Sequence, residues 1–271
     1  MLKLTMIRHG KTYGNTLGRY IGITDESLLP EEAEDLKQYA FEEYDAVYAS
    51  PLKRCVETAK ILFPEQEIQL VDSLRECDFG EFENKNYQEL SDNPKYQEWV
   101  DSGGTMAFPG GEDRGLFQER CIAGADAIIR KAIENEWEQV AMVVHGGTIM
   151  AILDRYGIPK ANYFDWHVKN GEGYLLRINT DQYSFGKKEL VVDGRFFRPQ
   201  QEKKQTGFIF QPSEEESMEE QLPEEAEAVD QPLEEQLPEE TAAEDQPMEE
   251  QLPEEAETAE QPAEAPQSQD E

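Results

Sequence analysis

Short apolar runs alternate with longer amphipathic segments over the first two thirds of the chain. The apolar runs at residues 2–7, 46–49, 67–71 and 139–144 have the length and composition of buried strands. Between the runs at 67–71 and 139–144, apolar residues recur with the period of a helix, at Phe117, Cys121, Ala125, Ile128, Ala132 and Ile133. This order predicts the α/β fold class, with an open, mostly parallel sheet and helices on both faces.

Start and stop signals predict the remaining elements. Pro30 and the acids after it favour a helix to about Phe41, and Ser50 is predicted to cap another helix with Pro51 in its first position. Helices are also predicted over residues 87–100 and 149–156. Residues 172–180 and 183–192 are predicted to form a hairpin that turns near Asp181.

Charge divides the 271 residues into two parts. Residues 213–271 contain 24 acidic residues and no Lys or Arg, whereas residues 1–212 contain 35 acids against 25 bases. Three copies of a 15-residue proline-containing unit begin at Met218, Leu233 and Met248, and each offers few apolar side chains. We therefore expect a domain over residues 1–192, an extension of uncertain structure over 193–212 and a disordered acidic tail over 213–271.

Composition also excludes several classes of partner. The acidic surface argues against nucleic acid, and the absence of an 18-residue apolar run or a leader argues against membrane or secretion. The cysteines, Cys55, Cys77 and Cys121, are too widely spaced for a zinc site and fit a reducing compartment. We expect a cytoplasmic protein without a metal or other cofactor, and the sequence does not identify a partner for the tail.

The first predicted strand ends in Arg8, His9 and Gly10, where an open α/β sheet places its ligands. An arginine can donate two parallel hydrogen bonds to phosphate oxygens, and a neutral imidazole can act as a nucleophile. The pair therefore suggests phosphoryl transfer through histidine. A phosphate-binding P-loop ending at Gly10-Lys11-Thr12 is excluded, because Thr5 occupies the position of its first glycine. A basic pair that merely caps the strand remains an alternative at this point.

A second apolar strand ends in His145, followed by Gly146 and Gly147 at a predicted helix start. Backbone N–H groups at such a terminus can bind an anion. Arg54, near the start of an earlier helix, would reach the same edge of the sheet. The plainer alternatives are core histidines and a surface arginine, and His167 is predicted to be structural or to lie at a loop edge.

The segment from Leu74 to Glu83 contains four acids among aromatic residues. One carboxyl group could be held in an apolar setting that raises its pKa, as an acid catalyst requires. A solvated acidic loop is the alternative, and the residues by themselves do not say which acid would serve.

Together these motifs resemble the histidine phosphatase superfamily, also called phosphoglycerate mutase-like. The motifs are Arg8-His9-Gly10, Asn15, Ser50-Pro51 with Arg54, Leu74-Arg75-Glu76 with Phe79-Gly80, and His145-Gly146-Gly147. The resemblance covers roughly residues 2–180 and implies the superfamily's fold, with no metal.

The resemblance also assigns roles to individual residues. His9 matches the phosphorylated nucleophile and Glu76 the proton donor, which selects one of the four acids. Arg8, Arg54 and His145 match the groups around the phosphoryl oxygens. The candidate substrate-binding residues are Asn15, Thr12, Ile21, Gly22 and Gly146.

Within the superfamily, residues 18–25, 74–83 and 109–112 look most like the α-ribazole phosphatase branch of cobalamin biosynthesis. Lys11 departs from the usual pattern without touching the catalytic set. The expected function is hydrolysis of a small phosphomonoester, such as α-ribazole 5′-phosphate, through phosphohistidine. A phosphoglycerate mutase and a non-catalytic phosphate-binding protein are the alternatives.

Aromatic residues between Glu76 and the long helix bear on the substrate. Phe79, Phe82, Tyr87, Tyr96, Trp99 and Phe108 are accompanied there by two lysines. Most of these rings are expected in the core. Any ring that faces the cleft would suit a flat, weakly charged leaving group.

Overall fold

The computed structural model describes residues 1–41 and 43–196, which form one mixed sheet flanked by helices. The strands are β1 (Leu2–Arg8), β2 (Ala46–Ala49), β3 (Ile68–Leu70), β4 (Gln139–Val144), β5 (Gly157–Ile158), β6 (Gly173–Ile178) and β7 (Leu190–Phe196). The helices are α1 (Tyr13–Thr16), α2 (Pro30–Leu36), α3 (Lys53–Leu62), α4 (Pro94–Asp101), α5 (Arg114–Glu134), α6 (Gly146–Tyr156) and α7 (Thr180–Ser184). Single 3₁₀ turns lie at Lys37–Tyr39, Asp72–Leu74, Gly80–Phe82 and Tyr163–Trp166.

The strands are ordered β3-β2-β4-β1-β6-β7-β5. The four strands from β3 to β1 are parallel, and β6 runs antiparallel to both β1 and β7. The predicted α/β class with an open, mostly parallel sheet is confirmed. In the central pair, Arg8 of β1 lies opposite Val144 of β4, so the residues after both strands emerge at the same level of the sheet.

The sheet is covered on both faces, which explains why its central strands are apolar at almost every position. Met6 belongs to the core cluster that includes α5 and α6. Its neighbour Ile7 belongs to the cluster that includes α2 and α3. Alternate residues of one strand thus anchor opposite layers, and the periodic stripe predicted for α5 contributes to the first of them.

Four predicted helix boundaries change in the structure, and one of them is the start of the helix predicted over 149–156, which lies at Gly146. The helix from Pro30 ends at Leu36 and continues only as a 3₁₀ turn. The helix predicted over 87–100 begins at Pro94, because the side chain of Asn93 accepts hydrogen bonds from the first-turn N–H groups. The prediction that Ser50 caps a helix is wrong, since Leu52 occupies the cap position and α3 begins at Lys53.

The predicted hairpin is correct in its pairing and wrong in its connection. β6 and β7 are antiparallel neighbours, but Asp181 lies inside α7 rather than at a tight turn. β7 extends to Phe196, so four of its residues lie beyond the domain boundary expected at residue 192. The rest of the expected extension and the tail at 213–271 lie outside the described residues, and the domain division stays a prediction.

In residues 1–41 and 43–196, no helix is both long and apolar enough to cross a bilayer.

Packing of α5 against the sheet can be tested with two truncations on the same helix. Ile129 is 1% exposed, whereas Leu116 is 64% exposed. Ile129→Ala is expected to lower the free energy of unfolding by about 2–5 kcal/mol, because the side chain leaves a cavity in a packed core. Leu116→Ala should change it by less than about 0.5 kcal/mol. Urea unfolding measures both, and equal effects would contradict the orientation of α5.

Candidate active site

Two histidines lie side by side just beyond the carboxyl ends of β1 and β4. The ring centroids of His9 and His145 are 5.2 Å apart, with an angle of 64° between the ring planes. Both side chains are buried. The parallel pairing of the two strands therefore brings together residues that are 136 positions apart in the sequence.

His9 is held as a neutral imidazole with a defined tautomer. Its Nδ1–H donates to the backbone carbonyl of Gly10 at 2.7 Å, which leaves the lone pair on Nε2. Burial lowers the pKa of His9 well below its usual value, and the positive charges of Arg54 and Arg8 lower it further. The ring therefore presents an unprotonated nitrogen at neutral pH.

Residues 167 and 168, between α6 and β6, hold the side chain of Arg8 in place. Its Nη1 donates to the carbonyl of Val168 at 2.9 Å and lies 3.0 Å from Nε2 of His167. Because a guanidinium can only donate, Nε2 of His167 must accept. Gly146 lies against the same guanidinium, since a Cβ at that position would be 3.4 Å from Cζ of Arg8. His167 thus helps to orient Arg8.

Arg54 is completely buried at the start of α3. Its Nη1 donates to the carbonyl of Thr24 at 2.7 Å, and its Nη2 donates to those of Gly22 at 2.8 Å and Ile21 at 3.2 Å. Its Nε donates to Nδ1 of His145 at 3.3 Å. Ile21 and Gly22, predicted as substrate-binding residues, thus contact Arg54 through their carbonyl groups.

The contacts of His145 determine its tautomer as well. Because Nδ1 accepts from Arg54, the proton is on Nε2, which donates to the hydroxyl oxygen of Ser50 at 2.8 Å. Burial and the charge of Arg54 lower the pKa of His145 well below its usual value, so this ring is also neutral. Ser50, predicted as a helix cap, instead positions a site histidine.

Glu76 faces the N-terminus of α6. Its Oε1 accepts from the N–H of Cys77 and its Oε2 from that of Gly147, each at 3.0 Å. Burial raises the pKa of Glu76, and this effect outweighs the two hydrogen bonds and the nearby arginines, which lower it. The carboxyl group can therefore carry a proton at a higher pH than an exposed glutamate can.

The backbone around Glu76 is fixed by Arg120 of α5. Nη2 of Arg120 donates to the carbonyl of Glu76 at 2.9 Å, and Nη1 donates to that of Arg75 at 2.7 Å. The same guanidinium forms a bidentate pair with Glu112, at 2.6 and 2.7 Å. The long helix thus sets the position of the buried carboxyl group.

Asn15 and Thr12 form a small hydrogen-bonded group next to His9. Oδ1 of Asn15 accepts from both the N–H and the hydroxyl of Thr12 at 3.1 Å. It also accepts from Nδ2 of Asn170 at 3.2 Å, and Asn170 donates to the carbonyl of His9 at 3.1 Å. Since these contacts use the amide oxygen of Asn15, its amide nitrogen can donate to a bound anion.

A second acid from the same loop as Glu76 holds the loop that contacts Arg54. The carboxylate of Glu83 accepts from the N–H groups of Gly22 at 3.2 Å and Ile23 at 3.0 Å, and from the hydroxyl of Thr24 at 2.7 Å. Gly22 cannot be replaced without a shift, because a Cβ there would overlap the carbonyl of Cys77. Glu83 therefore determines where the carbonyls that receive Arg54 lie.

The structure brings together all five residues predicted as catalytic: Arg8, His9, Arg54, Glu76 and His145. Sequence reasoning missed the contributions of Thr58, Glu83, His167 and Asn170. Thr58 could have been found from the sequence, because it follows Arg54 by one helical turn. Its hydroxyl donates to the Arg54 carbonyl at 2.6 Å and accepts from Gly10 N–H at 2.9 Å.

Within the described ranges, no cluster of His, Cys, Asp and Glu is arranged to hold a metal ion.

Comparison with known proteins gives one family. The model of the histidine phosphatase superfamily (branch 1) matches residues 4–189. Phosphoserine phosphatase 1 of Hydrogenobacter thermophilus is 25% identical over 199 residues, which cover 66% of this chain and 92% of that protein. The adenosylcobalamin/α-ribazole phosphatase of Escherichia coli is 25% identical over 191 residues, covering 67% and 91% of the two chains.

Solved structures have the same fold. A putative α-ribazole-5′-phosphate phosphatase from E. coli superposes with a TM-score of 0.62 at 22% identity, covering 73% of this chain and 97% of that one. A phosphoglycerate mutase from Thermus thermophilus gives a TM-score of 0.53 at 24% identity, covering 73% and 99%.

The contact between Gly147 and Glu76 can be tested by adding one methyl group. A Cβ at position 147 would overlap Oε1 of Glu76 and lie 3.1 Å from Cζ of Phe117. Gly147→Ala should therefore destabilise the protein by about 1–3 kcal/mol through overpacking. Gly194→Ala is the matched control, because no atom lies within 4 Å of the added Cβ. Thermal unfolding measures both, and an unchanged melting temperature for Gly147→Ala would contradict this contact.

Proposed function

The chain belongs to the histidine phosphatase superfamily, branch 1, and is a phosphoric monoester hydrolase; we propose that it works through a phosphohistidine at His9 and acts on small organic phosphomonoesters. The observation that carries this proposal is the neutral His9, whose Nδ1–H is fixed on the Gly10 carbonyl beside two arginines. A buried carboxyl group with a raised pKa completes the set.

In the first step, Nε2 of His9 attacks phosphorus as the bond to the leaving oxygen breaks. Glu76 in its protonated form gives its proton to that oxygen, so the alcohol leaves neutral. In the second step, the Glu76 carboxylate takes a proton from water, and the oxygen of that water attacks phosphorus. The P–N bond then breaks, inorganic phosphate leaves, and both groups return to their starting protonation states.

Positive charge and fixed dipoles around His9 suit the transferring phosphoryl group. The charges of Arg54 and Arg8 act on the ring of His9, and α6 begins at Gly146, directly after His145. Preorganised donors of this kind stabilise charge on phosphoryl oxygens without reorganising during the reaction. We assign the amide nitrogen of Asn15 to the same role.

Hydrolysis is favoured over mutase chemistry because a mutase must hold a second strongly anionic group. Between Cys77 and Val144, most basic side chains already have partners. Lys85 donates to the carbonyl of Glu81, Lys95 pairs with the carboxylate of Glu81, Arg120 pairs with Glu112, Arg130 with Asp126, and Lys131 donates to Gln69. Arg114 forms no ion pair among the described residues, and its hydrogen bond to the carbonyl of Gly104 is long, at 3.4 Å. One such cation is a weak site for a second phosphate. The complete catalytic set also argues against a protein that only binds phosphate.

The aromatic residues between Glu76 and α5 do not identify the substrate, because most of them lie in the core. Phe82, Tyr96 and Phe108 are buried, and Phe79 and Trp99 pack against them. The expectation that most of the six rings lie in the core therefore holds, and Tyr87 is the one that is exposed. α-Ribazole 5′-phosphate and phosphoserine, which the names of relatives suggest, are therefore both candidate substrates. The cytoplasmic location also stays a prediction.

The covalent intermediate can be trapped directly. Brief incubation with a ³²P-labelled phosphomonoester and denaturation should give protein that carries acid-labile, base-stable phosphate. His9→Ala should carry none and should lose turnover. His145→Ala, which retains the nucleophile, should still become labelled with a rate about 10²–10³ lower, the scale for loss of one preorganised group. Substantial turnover by His9→Ala would exclude this nucleophile.

If Glu76 donates the proton, kcat/KM should depend on both the leaving group and the pH. Because the donor must be protonated and its pKa is raised, kcat/KM should fall only as the pH rises through that raised value. The lowered pKa of His9 should keep the nucleophile neutral until the pH is far below 6.5. The profile therefore has its plateau between the two.

Glu76→Gln tests this assignment. It should lose about 10²–10⁴ in kcat/KM on an alkyl phosphate and much less on p-nitrophenyl phosphate, whose leaving group needs little protonation. Glu81→Gln is the matched control, because Glu81 belongs to the same loop and is paired with Lys95 on the surface. Equal losses on both substrates would argue against proton donation by Glu76.

A further inference from the structure

We propose that Arg114, stacked on Tyr163, binds a carboxylate on the leaving-group side of the substrate. The inference rests on the proposed function, because it assigns the substrate class of the same site. It directs the substrate toward phosphate esters of small hydroxy acids or amino acids.

The position of Glu76 indicates where the leaving group must lie. A proton donor has to reach the leaving oxygen, so the rest of the alcohol extends along the surface next to Glu76. Oε2 of Glu76 accepts from Gly147 N–H at 3.0 Å, and the hydroxyl of Tyr163 donates to the carbonyl of the same glycine at 3.5 Å. Tyr163 therefore forms the wall next to the proton donor.

The charge of Glu76 acts on Tyr163, which supports this placement. Burial raises the pKa of the Tyr163 hydroxyl, and the carboxylate of Glu76 raises it further. The charge of Arg114 lowers the same pKa. Tyr163 thus lies between the proton donor and the arginine, with its hydroxyl directed to Gly147 and its ring covered by the guanidinium.

Arg114 is the first residue of α5, and its guanidinium is held by ring contacts. Its Cζ lies 4.6 Å from the ring centroid of Tyr163 and 5.9 Å from that of Phe164. The Tyr163 ring covers the guanidinium, whose planar fork of N–H groups has the geometry that bidentate carboxylate binding requires. Its hydrogen bond to the carbonyl of Gly104 is long, at 3.4 Å.

In the part of the chain that the structure describes, Arg114 has no carboxylate partner. Arg120, on the same helix, forms a bidentate pair with Glu112, and Arg130 pairs with Asp126. The residues that precede Arg114 are Glu112 and Asp113. A single guanidinium in acidic surroundings matches one negative charge, which favours a carboxylate over a second phosphate dianion.

Two substrates that differ by one carboxylate test this inference. O-Phospho-L-serine and O-phosphoethanolamine differ in the carboxylate that Arg114 would bind. Arg114→Gln should lower kcat/KM for O-phospho-L-serine about 10- to 100-fold, the scale of a hydrogen bond to a charged group. It should leave O-phosphoethanolamine and p-nitrophenyl phosphate within about twofold. Arg114→Lys, which retains the charge without the fork, should give an intermediate loss on O-phospho-L-serine alone.

Arg130→Gln is the matched control, because it removes a positive charge from the same helix at a paired surface site. It should change the ratio of kcat/KM for the two substrates by less than about twofold. An equal loss on all substrates in Arg114→Gln would show a structural role and overturn the inference, as would an unchanged ratio. Wild-type protein that hydrolyses p-nitrophenyl phosphate without preferring O-phospho-L-serine would overturn this inference and leave the proposed function standing. Failure to release phosphate from any of the three would contradict the proposed function as well.

Discussion

The burial of Arg54 is the interaction on which the site depends. An arginine removed from water loses a large hydration free energy unless its N–H groups find new acceptors. Here these acceptors are neutral: three backbone carbonyls of residues 21–24 and one ring nitrogen of His145. Neutral acceptors satisfy the donors without cancelling the charge. The positive charge therefore remains available for a phosphate dianion.

That retained charge sets the protonation of its neighbours. It disfavours the imidazolium form of both His9 and His145, which are already disfavoured by burial. It also acts on Glu76, but there the loss of hydration has the larger effect and favours the neutral acid. One buried environment thus gives an unprotonated imidazole and a protonatable carboxyl group. The acid–base chemistry that we propose needs this separation of pKa values.

The fold and the two histidines at strand ends were predictable from local patterns, whereas Glu76 was selected among four acids only by the family resemblance. Strands β1, β2 and β4 are short apolar runs, and the parallel pairing of β1 with β4 is what places His9 beside His145. The residues that support them were not predictable in the same way. Glu83 accepts hydrogen bonds from a loop that lies 60 positions earlier in the sequence. Ser50 matches the local pattern of a helix cap, but its hydroxyl instead accepts a hydrogen bond from His145, 95 positions later. Such contacts arise from the tertiary fold and leave no periodic signal.

The two sides of the site are built from different kinds of structure. On the phosphate side, His9 and His145 follow directly on two neighbouring strands of the sheet. Loop carbonyls hold the two arginines, those of residues 21–24 for Arg54 and that of Val168 for Arg8. On the leaving-group side, the wall consists of side chains from the start of α5 and the 3₁₀ turn at Tyr163–Trp166, outside the sheet. Substitutions there can change the group that is recognised without moving the atoms that handle phosphorus. Because function is carried by sites on a shared fold, we infer that the leaving-group wall, rather than the residues proposed to act on phosphorus, is the part of this chain that determines its substrate.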